Sequence, residues 1–244
     1  MADLSGAYAE ARGRLVELLE GLDESRLATR VPACPDWTVR DVLAHVTGVA
    51  ADAAQERFFL GATDAWRGGD LGEERDAWTE AQVGSRRGRS VAELAAEWAG
   101  WASSVESVLA GTVQLPAGAP DWLRTAPLAD LAVHLHDVRG ALRRPGDRDA
   151  PITRLGLRIY ARWLGQRLDQ TGRPALLLRT GDREWVEGAG APEAVLAAEP
   201  FELFRALSGR RSAAQVRALG WDGEPERYLE VFAPYPMPSS PLRE

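Results

Sequence analysis

Leu4, Ala7, Tyr8, Ala11, Leu15, Leu18, Leu19 and Leu22 recur at three- and four-residue spacing, which places them on one face of an amphipathic helix. The same spacing returns over 38–62, over 91–110 (VAELAAEWAGWASSVESVLA) and over 127–143, with Gly- or Pro-containing stretches at Arg67–Asp70 and Gly111–Pro120 between the runs. Four long helices, each with one apolar face to cover, predict an antiparallel bundle. After Arg143 the texture changes. RPGDRDAP gathers turn residues and marks a boundary between a domain over 1–145 and another over 150–244. Beyond it a helix over 151–170 leads into ALLLRT (175–180), a Gly-Asp turn and REWVEG, which together predict a β-hairpin. EAVLAA predicts a third strand, SAAQVRAL suits strand or helix, and PFELFRALSG is a helix opened by Pro200 and closed by Gly209. The tail with Pro234, Pro236, Pro238 and Pro241 should be extended. The expected fold class is therefore α+β in two domains, a four-helix bundle followed by a smaller α+β domain.

Composition narrows the function classes. With 244 residues, 45% of them hydrophobic and 27% charged, the chain can bury a substantial core. A formal net charge of -7 lacks the basic footprint of a nucleic-acid binder, so DNA and RNA are not expected partners. A single cysteine excludes an internal disulfide framework or a cysteine-rich zinc module and suits a reducing cytoplasm. Asp3 precedes any basic residue, and no apolar run approaches the ~18 residues of a membrane span, so neither a secretory signal nor a membrane partner is expected. All 29 lysine-plus-arginine positions are arginine, which removes lysine Schiff-base chemistry. The expected state is a monomer or a homodimer, which the sequence does not choose between.

The candidate chemistry lies in two stretches. In CPDWTVRDVLAHV, Thr38 is a credible N-cap, Asp41 supplies the acidic half of a capping box, and Trp37 and Val42 stand at the positions of a hydrophobic staple. His45 follows two turns into that helix on the stripe of Val42 and Val49, facing the bundle interior. Cys34, in the preceding loop, has no adjacent base and reads as a small idle side chain. In PLADLAVHLHDVRGAL, Asp130, His134 and Asp137 fall within about 60° of one another on a helix, whereas His136 lies roughly 200° from His134. A strand would place both histidines on one face, but the spacing of Leu128, Leu131 and Leu142 favours the helix. Asp130 and His134, at i and i+4, can reach one metal ion, and His45 can add a third ligand from a facing helix, leaving an open coordination position. Asp137 is then a fourth ligand or a carboxylate that orients an imidazole. The competing reading makes Asp130 and Asp137 surface charges and His134 a packed core residue.

These stretches resemble the mycothiol-dependent maleylpyruvate isomerase family, part of the DinB-like superfamily of metal-binding four-helix bundles. CPDWTVRDVLAHV, DLAVHLHDVRGAL and LFRALSGRRS carry the resemblance, in order along the chain. It implies that His45, Asp130 and His134 bind a divalent metal, usually assigned as zinc; Asp137, by its position on the same stripe, is expected in catalytic support. An aspartate stands at 130 where the better-known enzyme has glutamate, one methylene longer. The resemblance also implies a sterol-carrier-like C-terminal domain and mycothiol, a small cysteinyl thiol, as cosubstrate. A metal with an open position would lower the pKa of such a thiol for S-transfer to, or isomerisation of, a small electrophile, with no need of Cys34 as nucleophile. Arg210 and Arg211 could bind a substrate carboxylate, or simply favour the end of the preceding helix. The alternative from another class is a non-catalytic protein that encloses an apolar or thiol-linked ligand, for which nine tryptophans would serve.

Overall fold

The structure, a computed structural model, describes residues 3–58, 72–115, 117, 119–181 and 183–243. The end of the run expected over 38–62 and the separator at Arg67–Asp70 lie outside them. The described residues up to Asp147 form one compact unit and Arg148–Arg243 a second. The chain mixes helix and sheet, and no helix among the described residues is long and apolar enough to cross a membrane.

In the first unit α1 (Leu4–Leu19) begins where Asp3 accepts a hydrogen bond from the Gly6 amide, and it buries Ala7, Tyr8, Ala11, Leu15, Leu18 and Leu19. This is the stripe read from the spacing. A single turn, α2 (Glu24–Leu27), precedes an antiparallel pair, β1 (Arg30–Val31) and β2 (Cys34–Thr38), which runs directly into α3 (Val39–Ala54). The first residue of α3 is set by the capping box expected there: the Thr38 hydroxyl accepts from the Asp41 amide at 3.2 Å, and the Asp41 carboxylate accepts from the Thr38 amide at 2.9 Å. Cys34 therefore sits in a short strand, where the sequence suggested a loop.

α4 (Gly72–Gly84) was not expected. It crosses α3 where Gly48 lets the two approach so closely that a Cβ there would stand 2.6 Å from the Gln82 Cβ. α5 (Val91–Ala110) starts at a second capping box, Ser90 with Glu93, and ends at Gly111 with φ 78°. A 3-10 turn, Asp121–Thr125, leads into α6 (Ala126–Leu142). Helices α1, α3, α5 and α6 pack together, α3 lying against both α5 and α6 and α1 against the same two. Trp98 on α5 donates to the Tyr8 hydroxyl on α1 at 2.9 Å, which satisfies a buried indole N–H. With 12 of its 17 residues buried, α6 is covered on nearly every side. It stops at Arg143, which adopts φ 54°, and the unit closes at Asp147, whose carboxylate accepts from both Arg14 and Arg139.

The second unit packs α7 (Pro151–Gln170) on a four-stranded sheet of order β4-β3-β5-β6 and on α8 (Pro200–Leu207). β3 (Ala175–Thr180) and β4 (Arg183–Glu187) form the expected hairpin. β5 (Pro192–Ala197) is the expected third strand and lies parallel to β3 on its other side, so the connection from β4 must pass the start of β3. Gly188, at φ 89°, makes that crossing: a Cβ there would lie 3.2 Å from the Ala175 Cα. The ambiguous SAAQVRAL resolves to the helix α9 (Ala213–Arg217), capped by Ser212, and is followed by an unanticipated edge strand, β6 (Gly220–Asp222). After α10 (Glu226–Leu229) no described residue belongs to a regular element. The tail is held by reciprocal bonds between the Gln215 amide group and the Leu242 backbone, 2.8 and 3.1 Å.

Candidate metal centre

The middle of α3 and the first half of α6 bring His45, Asp130 and His134 together. Asp130 Oδ1 lies 3.3 Å from His45 Nε2 and 3.5 Å from His134 Nε2. These separations exceed the mode of a direct N–H···O bond, about 2.9–3.0 Å. They match the edges of a tetrahedron about an ion bound at 2.0–2.1 Å, which are about 3.3–3.4 Å. His45 Nε2 and Asp130 Oδ1 are within reach of each other, while the other atom of each group, His45 Nδ1 and Asp130 Oδ2, is buried and has no hydrogen-bond partner. On donor type, convergence and unsatisfied atoms, the three residues fit a divalent ion such as zinc.

The surroundings hold the donors still. Both histidines are buried, and Trp37 packs over them with ring centroids 4.7 Å from His45 and 6.0 Å from His134. Only Asp130 keeps appreciable exposure, 27% of its side chain, so solvent reaches the cluster from its side. Burial works against ionisation of Asp130, but the charge on His45 and His134 outweighs it and holds the carboxyl well below the usual range. Burial likewise opposes a charged His134, and Asp130 overcomes it, raising the imidazole well above its ordinary value.

Asp137 is fully inside and places Oδ2 3.1 Å from His134 Nδ1, close but not aligned for an N–H bond. Cys34 reaches the same oxygen from β2, with Sγ 3.9 Å away. His136, although buried, belongs to neither group of converging donors, in keeping with its angular position. Arg210 and Arg211 lie in the second unit. Arg211 is buried and forks onto Glu202 at 2.8 and 2.9 Å, while Arg210 donates to the Ser208 carbonyl at 3.2 Å. A cavity of about 400 Å³ in the second unit adjoins Arg167, which donates to the carbonyls of Val231 and Phe232. Sequence reasoning missed Trp37 as a wall of the site and the approach of Cys34 to Asp137. The first was legible only as a staple position, and the second depends on the β1–β2 pair.

Comparison with known proteins bears on the fold and the family. Two solved structures, titled mycothiol-dependent maleylpyruvate isomerase and a histidine-to-alanine mutant of it, share the fold with a TM-score of 0.57 each. They are 16% and 13% identical to this chain, and each match covers 90% of this chain and 91% of the other. No curated protein matches. The family model described as the mycothiol maleylpyruvate isomerase N-terminal domain matches residues 8–139, more than half of the chain and the whole donor set. With the fold shared and every candidate ligand inside the matched span, the chain belongs to the mycothiol maleylpyruvate isomerase N-terminal domain family.

Proposed function

We propose that this protein is a divalent-metal enzyme that activates a small cysteinyl thiol of the mycothiol kind for S-transfer to, or isomerisation of, a small electrophile. Family membership supports thiol-dependent catalysis. The observation that carries the metal reading is that Asp130 Oδ1 stands at tetrahedral-edge distances from both His45 Nε2 and His134 Nε2, in a group whose ligand atoms all lie within 4.8 Å of one another. Three protein ligands leave a position for an incoming sulfur. A divalent ion held there by His45, Asp130 and His134 would supply Lewis acidity that favours the ionised form of a thiol at neutral pH.

The chain's own residues do the rest. Asp130 contributes the negative charge and the solvent-facing edge by which a thiol arrives. Asp137, buried behind His134 with Oδ2 3.1 Å from Nδ1, is the carboxylate placed to orient the imidazole and raise its basicity toward an ion. Trp37 shields the two histidines from water, which strengthens every electrostatic contact inside. On this reading the first unit is a DinB-like bundle and the second a sterol-carrier-like α+β domain. Arg210 and Arg211 are the candidates in the second unit for a substrate carboxylate, Arg211 already forking onto Glu202.

The test is run on Cys34→Ala, so that only nitrogen and oxygen donors are in play. That protein should hold one zinc per chain by elemental analysis and keep thiol-dependent turnover within a few-fold of wild type. Adding His45→Ala or His134→Ala should abolish zinc retention with helicity preserved. If Cys34→Ala binds no zinc, nickel or manganese offered in excess, the metal site and thiol activation both fall, and a non-catalytic ligand-binding protein becomes the better account.

A further inference from the structure

Behind His134 lies a second group of donors that the thiol-activating reading does not use as ligands. Cys34 Sγ is 3.9 Å from Asp137 Oδ2, Asp137 Oδ2 is 3.1 Å from His134 Nδ1, and the three donor atoms all fall within 4.8 Å of one another. His134 is 6% exposed, and its Nδ1 is buried, aimed into this group and without a hydrogen bond. We propose that Cys34, Asp137 and the Nδ1 of His134 form a second divalent-metal seat, which shares His134 with the His45–Asp130–His134 seat and prefers thiophilic ions.

The donor chemistry differs between the two faces of the shared imidazole. Two nitrogens and one oxygen meet on the Nε2 side; a sulfur, a nitrogen and an oxygen meet on the Nδ1 side. Thiolate ligands select softer ions such as zinc, cobalt and cadmium over magnesium, calcium or manganese. With metal–sulfur bonds of about 2.3 Å and metal–oxygen bonds of about 2.0 Å, the sulfur–oxygen edge would be about 3.5 Å. The observed 3.9 Å needs only a small side-chain adjustment to reach it. Binding in the second seat expels the Cys34 thiol proton, and the thiolate and Asp137 carboxylate together neutralise the ion. When both seats are filled, the remaining ring proton of His134 leaves as well and the imidazolate bridges the two ions. The proposal goes beyond the thiol-activating reading and does not require it, because the second seat uses no donor from α3.

Cobalt(II) alone, added to metal-free full-length protein in thiol-free buffer, distinguishes the seats. A thiolate-to-cobalt charge-transfer band in the near ultraviolet can come only from Cys34, the one cysteine of the chain. Wild type should bind two cobalt ions and show the band, Cys34→Ala should bind one and lack it, and His45→Ala should bind one and keep it. Circular dichroism checks that helicity is unchanged, and the comparison of wild type with Cys34→Ala decides the matter even if His45→Ala fails to fold. One cobalt and no band in wild type overturns the second seat and leaves the first intact. A band in wild type with no binding by Cys34→Ala upholds the second seat and overturns the first.

Discussion

At Asp130 burial and two imidazoles pull in opposite directions, and the imidazoles win. Removing that carboxylate removes a charge as well as a donor. In the Cys34→Ala background, Asp130→Ala is therefore expected to lower zinc affinity by orders of magnitude, whereas Asp130→Glu, one methylene longer, should retain binding or change metal preference, both read by competition with a chromogenic chelator. His136→Ala should stay replete, since His136 shares neither donor group. A second residue-scale expectation concerns Glu202 in the other unit. Hydrogen bonds from Arg211 hold its carboxyl below the ordinary value of 4.5. A depressed folded pKa contributes stability that is present above the unfolded value and is lost as pH falls through the folded one. Urea unfolding should accordingly show stability declining below about pH 4.5 with a component that Glu202→Gln removes. No loss of that component in the variant would mean that the pair does not stabilise the fold.

The elements differ in how openly the sequence announces them. α1, α3, α5 and α6 each carry an apolar stripe or a cap that local chemistry dictates, and α7 and β3 appear with the bounds expected for them. α4 escaped because its sequence, GEERDAWTEAQVG, is mostly polar and buries only Gln82 and Val83; tertiary contact at Gly48 holds it in place. The β1–β2 pair escaped because a two-residue strand has no periodicity to detect, and with it went the position of Cys34. Of the site, His45, Asp130, His134 and Asp137 were legible from helical angles, while Trp37 and Cys34 required the third dimension. Thr38→Ala should cost about 1 kcal/mol by loss of the cap, measured by chemical denaturation. Gly48→Ala forces a Cβ to within 2.6 Å of the Gln82 Cβ, so α3 and α4 must part, at a cost of about 1–3 kcal/mol. A neutral Gly48→Ala would show that α4 adjusts freely.

Across the whole molecule, the segment between the compact units is short and mostly exposed at Arg143–Pro145 and Arg148–Asp149, yet Asp147 within it is tied to Arg14 and Arg139. Limited proteolysis with trypsin should cut between Arg143 and Asp149 if the units are separate domains, and Asp147→Ala should hasten that cut by releasing the tie. Resistance in both proteins would count against a domain boundary there. The burial of α6 on nearly every side has a further consequence, in time. A helix so enclosed exchanges its amide hydrogens only when the whole unit opens, whereas frayed ends and surface turns exchange through small local openings. Asp130, His134 and Asp137 are thus carried by the segment that should be slowest to open, and their spacing persists through the partial fluctuations of everything around it. An ion would have to come and go by the swing of side chains on the nanosecond scale, past a backbone that stays closed for as long as the unit is folded.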